Sequence, residues 1–167
     1  RVERFDQVVF ACHSDQALAL LQDASDAERQ VLGGIAYQNN EVILHTDDRI
    51  LPQRKAAWAA WNYHLTDAAS SHATLSYNMN ILQGIEAPVT FVVTLNHSNA
   101  IEQSKILKRF QYAHPVFNHC TIAAQQRRGE INGVNHSWFC GAYWYNGFHE
   151  DGARSAVDIA RAMGVEF

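Results

Sequence analysis

The distribution of apolar and polar positions along the chain predicts a succession of short elements. Phe5 to Cys12 (FDQVVFAC) is an apolar, β-rich run, and Ser14 stands where a helix N-cap belongs, ahead of Ala17, Leu18 and Leu21 at helical spacing. Asp26 to Leu32 reads as a second helix that Gly33 and Gly34 stop. The following YQNNEVILHTDD reads as a strand containing or following a turn at Asn39-Asn40, closed by Asp47-Asp48. In TLSYNMNIL the apolar Leu75, Tyr77, Met79 and Ile81 alternate with Ser76, Asn78 and Asn80, the mark of a half-buried strand. After Pro88, Phe91, Val93 and Leu95 oppose Thr90, Val92 and Thr94 in the same way.

Trp58 to Leu65 is less regular, and Ile106 to Tyr112 reads as strand or helix, with strand preferred and Pro115 as its end. A short helix is expected over Thr121 to Arg127, a loop at Gly129 and Gly133, and a last strand over His136 to Cys140. From Asp151 onward Ala153, Ala156, Val157, Ala160 and Met163 form a helical stripe of small apolar residues, expected to pack closely, with Gly164 as its stop. Strands that follow one another without long intervening helices imply an α+β fold. Its sheet is expected to be mostly antiparallel or mixed, built near Val42, Trp61, Tyr77, Val92 and Phe110, with helices on one face and room for solvent or ligand over the polar side of the strands.

Composition narrows the classes. With 167 residues, 47% hydrophobic and 18% charged, the chain is ordinary globular protein with enough length for a core, and no composition break divides it into independent domains. A formal charge of −4 gives nucleic acid and anionic membranes no basic surface to bind. No apolar run reaches the ~18 residues of an integral membrane span. Cys12, Cys120 and Cys140 are too few and too far apart for a disulfide framework, which points to the cytoplasm. The chain opens at Arg1 almost directly on a strand, as a piece of a longer protein would.

Candidate chemistry is sparse. The nine histidines, His13, His45, His64, His72, His97, His114, His119, His136 and His149, form no HxH or HExxH set, so no metal is expected. Cys12 and Cys140 sit in apolar runs as inert thiols would, and no GxSxG marks a serine nucleophile. No GxGxxG or GxxxxGK[ST] forms a phosphate cradle, and Lys108-Arg109 and Arg127-Arg128 read as solvated charge. The unusual segment is Trp138 to Ala156, WFCGAYWYNGFHEDGARSA, with six aromatics and three glycines leading into a helix. It suits a flat ligand held against backbone at a helix N-terminus, and it equally suits a core strand, a turn at Asn146-Gly147 and a packed helix.

FDQVVFACHSDQALALL, EVILHTDDRILP, AAWNY and INGVNHSWFCGAYWYNGFHEDGARSA, taken in order, resemble the bacterial flavin-containing amine oxidase-like family of NAD/FAD-binding oxidoreductases over nearly the whole chain. The family is similar in fold to monoamine oxidase and phytoene desaturase: a Rossmann-type FAD domain assembled from separated segments, with a substrate domain inserted between them. The resemblance implies the C-terminal part of such a protein. Residues 35–127 would form the substrate-domain sheet, 1–25 and 138–167 would face the FAD domain, and the fingerprint-bearing N-terminal FAD-binding part would be the missing partner.

The resemblance further implies FAD in the complete protein, weakly held or absent in this piece. Gly141, Ala142, Tyr143, Gly147, Phe148, Glu150, Asp151, Gly152 and Ser155 would border the cofactor, with the amides of Gly152 and Ala153 as free donors and Gly141 and Gly147 admitting the ring. Ala142 departs from the pattern, because the family has an acidic residue there. No catalytic acid or base is implied, since the flavin itself takes the hydride. The small-molecule substrate is an amine or, because a similar domain is fused to plant cyclopropane fatty acid synthases, a fatty-acyl chain. The alternative from a different class is a non-catalytic α+β module that binds an apolar ligand or a protein partner.

Overall fold

The computed structural model describes residues 2–65 and 73–166. In chain order the elements are β1 (Val8–Ala11), α1 (Ser14–Leu20), α2 (Asp26–Gly33), β2 (Tyr37–His45), β3 (Trp61–Tyr63), β4 (Leu75–Asn78), α3 (Met79–Gln83), β5 (Val92–Leu95), β6 (Ile106–Pro115), α4 (His119–Gln126), β7 (Ser137–Cys140) and α5 (His149–Ala162). The fold is α+β, as the strand succession implies. The chain divides into two compact units, Arg1–Gln38 with Pro115–Phe167, and Asn39–His114. The second lies inside the segment 35–127; His72 falls outside the described residues.

The first unit is held by an apolar core. Val31, Leu32, Ile35, Ile131 and Phe139 are buried with Ala17, Ala124, Tyr143 and Trp144. Phe10 stacks on Phe139 at 5.2 Å between ring centroids, and burying a side chain of that size is worth roughly 1.5–3 kcal/mol. β1 and β7 run parallel, Val8 opposite Ser137 through Ala11 opposite Cys140, and form a sheet of two strands. Ser14 is not the N-cap of α1: His13 takes that position, and both the amide and the hydroxyl of buried Ser14 donate to the Tyr37 hydroxyl. A tertiary partner claims the group that local propensity would assign to capping.

The second unit is a five-stranded sheet in the order β3-β4-β5-β2-β6, built from the five expected segments. The pairs β3–β4, β4–β5 and β5–β2 are antiparallel. β6 also runs opposite to β2, since Thr46 meets Lys105 at one end and Asn40 meets His114 at the other. No turn interrupts β2 at Asn39-Asn40. Asn40 is buried, and its side chain accepts from Asn96 Nδ2 at 2.8 Å, so side-chain bonding keeps two turn-forming residues in an extended strand.

The alternation in β4 and β5 is real, but its buried face is the opposite one. Ser76, Asn78 and Thr94 are buried, while Leu75, Tyr77, Val93 and Leu95 are half-buried. The alternating segment also ends early. Asn78 Oδ1 accepts from the Ile81 amide and starts α3, which Gly84 ends in the left-handed region at φ 65°. α5 is rotated in the same sense relative to expectation: Asp151, Ser155 and Ile159 are buried, whereas Ala153, Ala156 and Met163 are exposed. Both stripes have helical spacing, and the buried one is chosen by hydrogen bonds rather than by apolarity.

Candidate functional site

The segment from β7 into α5 is organised by two buried polar side chains of the helix. Ser155 Oγ accepts from the Gly141 amide at 2.8 Å and donates to the Gly152 carbonyl at 2.7 Å, tying the end of β7 to the second turn of α5. Asp151 Oδ2 accepts from the amides of Asn146 and Phe148, at 3.1 and 3.0 Å, and thereby closes the loop before the helix. Helix α5 starts at His149, with Phe148 as N-cap. The Gly152 amide is therefore already bonded to the Phe148 carbonyl at 3.2 Å, and it is the amides of His149 and Glu150 that have no acceptor among the described residues. The expectation of free donors at Gly152 and Ala153, which placed the helix start at Glu150 or Asp151, is corrected by this earlier start.

The three glycines differ. A Cβ on Gly141 would lie 2.7 Å from Tyr143 Cδ1, so the ring of Tyr143 occupies the face that a ligand ring was expected to use. Gly147 has φ 89°, which favours glycine, and Phe117 lies 3.0 Å from its Cβ position. Gly152 is the least crowded of the three, half-buried with the Ala142 amide nitrogen 3.9 Å from its Cβ position, an ordinary contact. Around it Phe148, His149 and Glu150 are exposed and Ala142 is half-buried. An exposed helix start with two free amides beside an uncrowded glycine fits an anionic or carbonyl-bearing edge of a flavin. Close approach of a ring to Gly141 or Gly147 does not fit, because protein aromatics already fill both faces.

Tyr143 is buried, its hydroxyl is the one buried side-chain polar atom among the described residues without a hydrogen-bond partner, and burial pushes its pKa well above the usual phenol value. Burial also raises the Cys12 and Cys140 thiols; for Cys12 the Asp15 carboxylate adds to the effect. Neither thiol is activated as a nucleophile.

A cluster that spacing does not show supports this segment from the other side. Arg128 Nη1 donates to Asp158 Oδ2 at 2.9 Å and Nη2 to the Ser155 carbonyl at 2.9 Å, with its guanidinium 5.5 Å from the centre of the Trp144 ring. The Tyr145 hydroxyl donates to Asp158, and Arg154 lies over the Tyr145 ring at 4.2 Å. The Tyr145 bond, then the bonds and charge of Arg128, hold the Asp158 carboxyl below the usual carboxylate range. Arg127 instead pairs with Glu130 at the surface. Arg128, Asp158 and Tyr145 are up to 30 positions apart in sequence, and the only early signal was the basic pair itself. An open cavity of about 320 Å³ between Arg128, Trp138 and Ile159 adjoins the cluster. Among the described residues no three His, Cys, Asp or Glu side chains converge as a metal site, and no helix is long and apolar enough to cross a membrane.

No protein-family model and no curated protein matches the chain. Among solved structures, the crystal structure of a protein from Exiguobacterium sp. 255-15 named "Putative protoporphyrinogen oxidase" matches with a TM-score of 0.55 at 11% sequence identity, over 95% of this chain and 41% of that one. The likeness is one of fold, and the chain spans about two fifths of the length of the protein it matches.

Proposed function

We propose that the chain is the C-terminal, substrate-domain part of an FAD-dependent oxidoreductase of the flavin amine oxidase type, completed by an N-terminal FAD-binding part of the same protein. The observation that carries this reading is the β1–β7 pair. Parallel sheets are buried on both faces and rarely consist of two strands, yet here β1 and β7 have no further strand beside them among the described residues. Val8 and Val9 of β1 are 40% and 47% exposed, and the outer stripe of α5 is apolar and solvent-facing. Such a strand pair with its helix is what remains of a larger parallel sheet when its other strands are supplied from elsewhere in the chain. The fold likeness to the Exiguobacterium protein, itself more than twice as long, agrees with this.

In this reading FAD lies at the start of α5, bordered by Ala142, Phe148, Glu150 and Gly152, with the amides of His149 and Glu150 directed at its polar edge. Asp151 and Ser155 position the loop and helix rather than touch the cofactor, since their oxygens are committed to backbone partners. Gly141 and Tyr143 form the packed floor behind the loop, and Gly147 makes the turn. Bound FAD would accept the hydride from a C–N or C–C bond of an amine or fatty-acyl substrate. The setting is the cytoplasm, in keeping with three free cysteines.

The test is made on the protein encoded by the complete gene. It is expected to purify with a flavin spectrum, and a colourless complete protein that takes up no FAD overturns the reading. His149→Pro then addresses the site: proline is tolerated at a helix's first position, and Phe148 already has the extended backbone that a following proline requires (φ −88°, ψ 163°). Loss of one amide donor to an anionic edge is expected to weaken FAD binding about tenfold with the fold intact. Unchanged affinity removes the α5 start from the site.

A further inference from the structure

Across the buried face of the five-stranded sheet, four side chains form one hydrogen-bonded chain from β2 to the end of β3. The Asp47 amide lies 3.1 Å from His45 Nδ1, His45 Nε2 lies 2.8 Å from Thr94 Oγ1, Thr94 Oγ1 lies 2.7 Å from Ser76 Oγ, and Ser76 Oγ lies 2.8 Å from His64 Nε2. His45, Thr94 and Ser76 are completely buried, and His64 is partly accessible.

A backbone amide only donates, which fixes the His45 ring. The direction of the later links follows because Ser76 is, among the described residues, the one remaining partner that can accept the buried Thr94 hydroxyl hydrogen. His45 Nδ1 must carry a lone pair, which puts the proton of the neutral ring on Nε2, where it donates to Thr94. Thr94 then donates to Ser76, and Ser76 donates to His64 Nε2, which must also carry a lone pair. The two histidines are thus neutral and of opposite tautomer, His45 protonated on Nε2 and His64 on Nδ1. A proton added to His64 Nε2 turns an acceptor toward Ser76 into a donor and leaves the Ser76 hydroxyl hydrogen without its acceptor. A proton added to His45 Nδ1 confronts the Asp47 amide.

We propose that this chain is an acid-sensitive latch of the sheet, closed while His45 and His64 are neutral and opened by protonation of His64 followed by His45. Among the described residues, the charged and titratable groups around it act in the same sense or are too firmly paired to interfere. On the β5 side, the His97 ring stacks on His64 at 5.5 Å, 6° from parallel, so positive charge on one opposes it on the other. On the β2 side, the Asp47 carboxylate favours a charged His45, but burial outweighs it, and that carboxylate is itself bound by Arg49, Lys105 and the Glu102 amide, with the Glu102 carboxylate beyond. On β4 the neighbours Thr74, Ser76 and Asn78 are uncharged. Burial lowers the pKa of both rings, with the His97 charge as a second cause for His64.

The sign follows from linkage. A histidine whose folded pKa is depressed binds fewer protons folded than unfolded, so its contribution is intact above the unfolded pKa of about 6.5 and is lost as pH falls toward the folded value. Each such ring raises the unfolding equilibrium by up to about tenfold between about pH 7.5 and about pH 5.5, the ceiling reached by a ring that stays neutral in the folded chain.

The experiment compares urea unfolding of the chain at those two pH values for the parent, His64→Gln and the control His119→Gln, whose ring is exposed on α4. Glutamine keeps an acceptor for Ser76 and cannot be protonated. The parent is expected to lose up to about a hundredfold in folding equilibrium from the two rings, His64→Gln less, up to about tenfold from His45 alone, and His119→Gln as much as the parent. Imidazole 15N shifts of the native chain at neutral pH give a readout that does not depend on stability, with opposite tautomers expected for His45 and His64. Equal acid responses in the parent and His64→Gln, or the same tautomer at both rings, overturn the latch. If His64→Gln fails to fold, the tautomer measurement on the parent decides.

Discussion

In the unit built on β1, β7 and α5, the fully buried side chains include Val31, Leu32, Ile131 and Phe139 beside the polar Ser14, Thr121 and Ser155, and apolar residues are also left outside, at Val8 and Val9. In the sheet unit the fully buried side chains include His45, Ser76 and Thr94, while Trp61, Tyr77, Val93 and Leu44 line up across four strands on the other face, half-buried or exposed. The first unit is held mainly by area removed from water, its buried hydroxyls of Ser14, Thr121 and Ser155 being satisfied separately. The sheet unit, beside Ile43 and Val92, instead joins its buried polar side chains into one connected set of hydrogen bonds. An apolar core is insensitive to pH and tolerates small shape changes. A polar chain has no such latitude, since an unmatched member costs the desolvation of a buried group.

The sharpest way to break the comparison is in the apolar unit. Phe139→Ala removes a buried ring that stacks on Phe10 and should cost about 3–5 kcal/mol, measurable by urea unfolding and independent of pH between about 5.5 and 7.5. A pH-dependent loss would mean that the two units do not differ as described.

In the sheet unit the largest effect is expected at Asp47, whose buried carboxylate accepts from Arg49 Nε at 2.8 Å and from the Glu102 amide at 2.9 Å. Asp47→Asn should cost about 2–3 kcal/mol at neutral pH. The Arg49 bond, helped by the Glu102 amide, holds this carboxyl far below its ordinary value. A depressed carboxyl pKa contributes stability that is full above the unfolded value of about 3.9 and disappears as pH falls from there through the folded value. The variant should therefore lose the acid step below about pH 4 and keep the histidine step above it, which a pH series of unfolding midpoints separates.

Thr94→Val preserves shape and strands both His45 Nε2–H and the Ser76 oxygen, so a cost of about 1–3 kcal/mol is expected in the same assay. A neutral result would reduce the polar chain to decoration. The smallest effect is local: Ser25 Oγ accepts from the Glu28 amide and Glu28 returns a bond to the Ser25 amide, so Ser25→Ala should cost about 1 kcal/mol through α2 alone. A much larger value would show that this cap is coupled to the core of its unit.

Much of the element order was legible. The run from Phe5 to Cys12 contains β1, the alternations in 74–82 and 89–96 contain β4 and β5, and Pro115 ends β6. The candidate site was legible as a segment, since Trp138 to Ala156 does contain β7, the aromatic loop and the start of α5. Its internal roles were not. Glycine at 141 reflects the packing of Tyr143, the free amides belong to His149 and Glu150, and Arg128 reaches Asp158 across thirty positions.

By itself the sequence determined the periods: 2.0 in β4 and β5, 3.6 in α5, and with them the α+β class, while β3 and β6, irregular or readable as helix, were settled by their pairing in the sheet. Period follows from backbone geometry, which each segment carries locally. The choice between two faces of equal period is made by partners distant in the chain. Ser76 is buried because Thr94 and His64 bond it, and Ser155 because the Gly141 amide does. Only the tertiary structure brings those partners within hydrogen-bonding distance, and once satisfied they remove the penalty that would otherwise keep a hydroxyl at the surface.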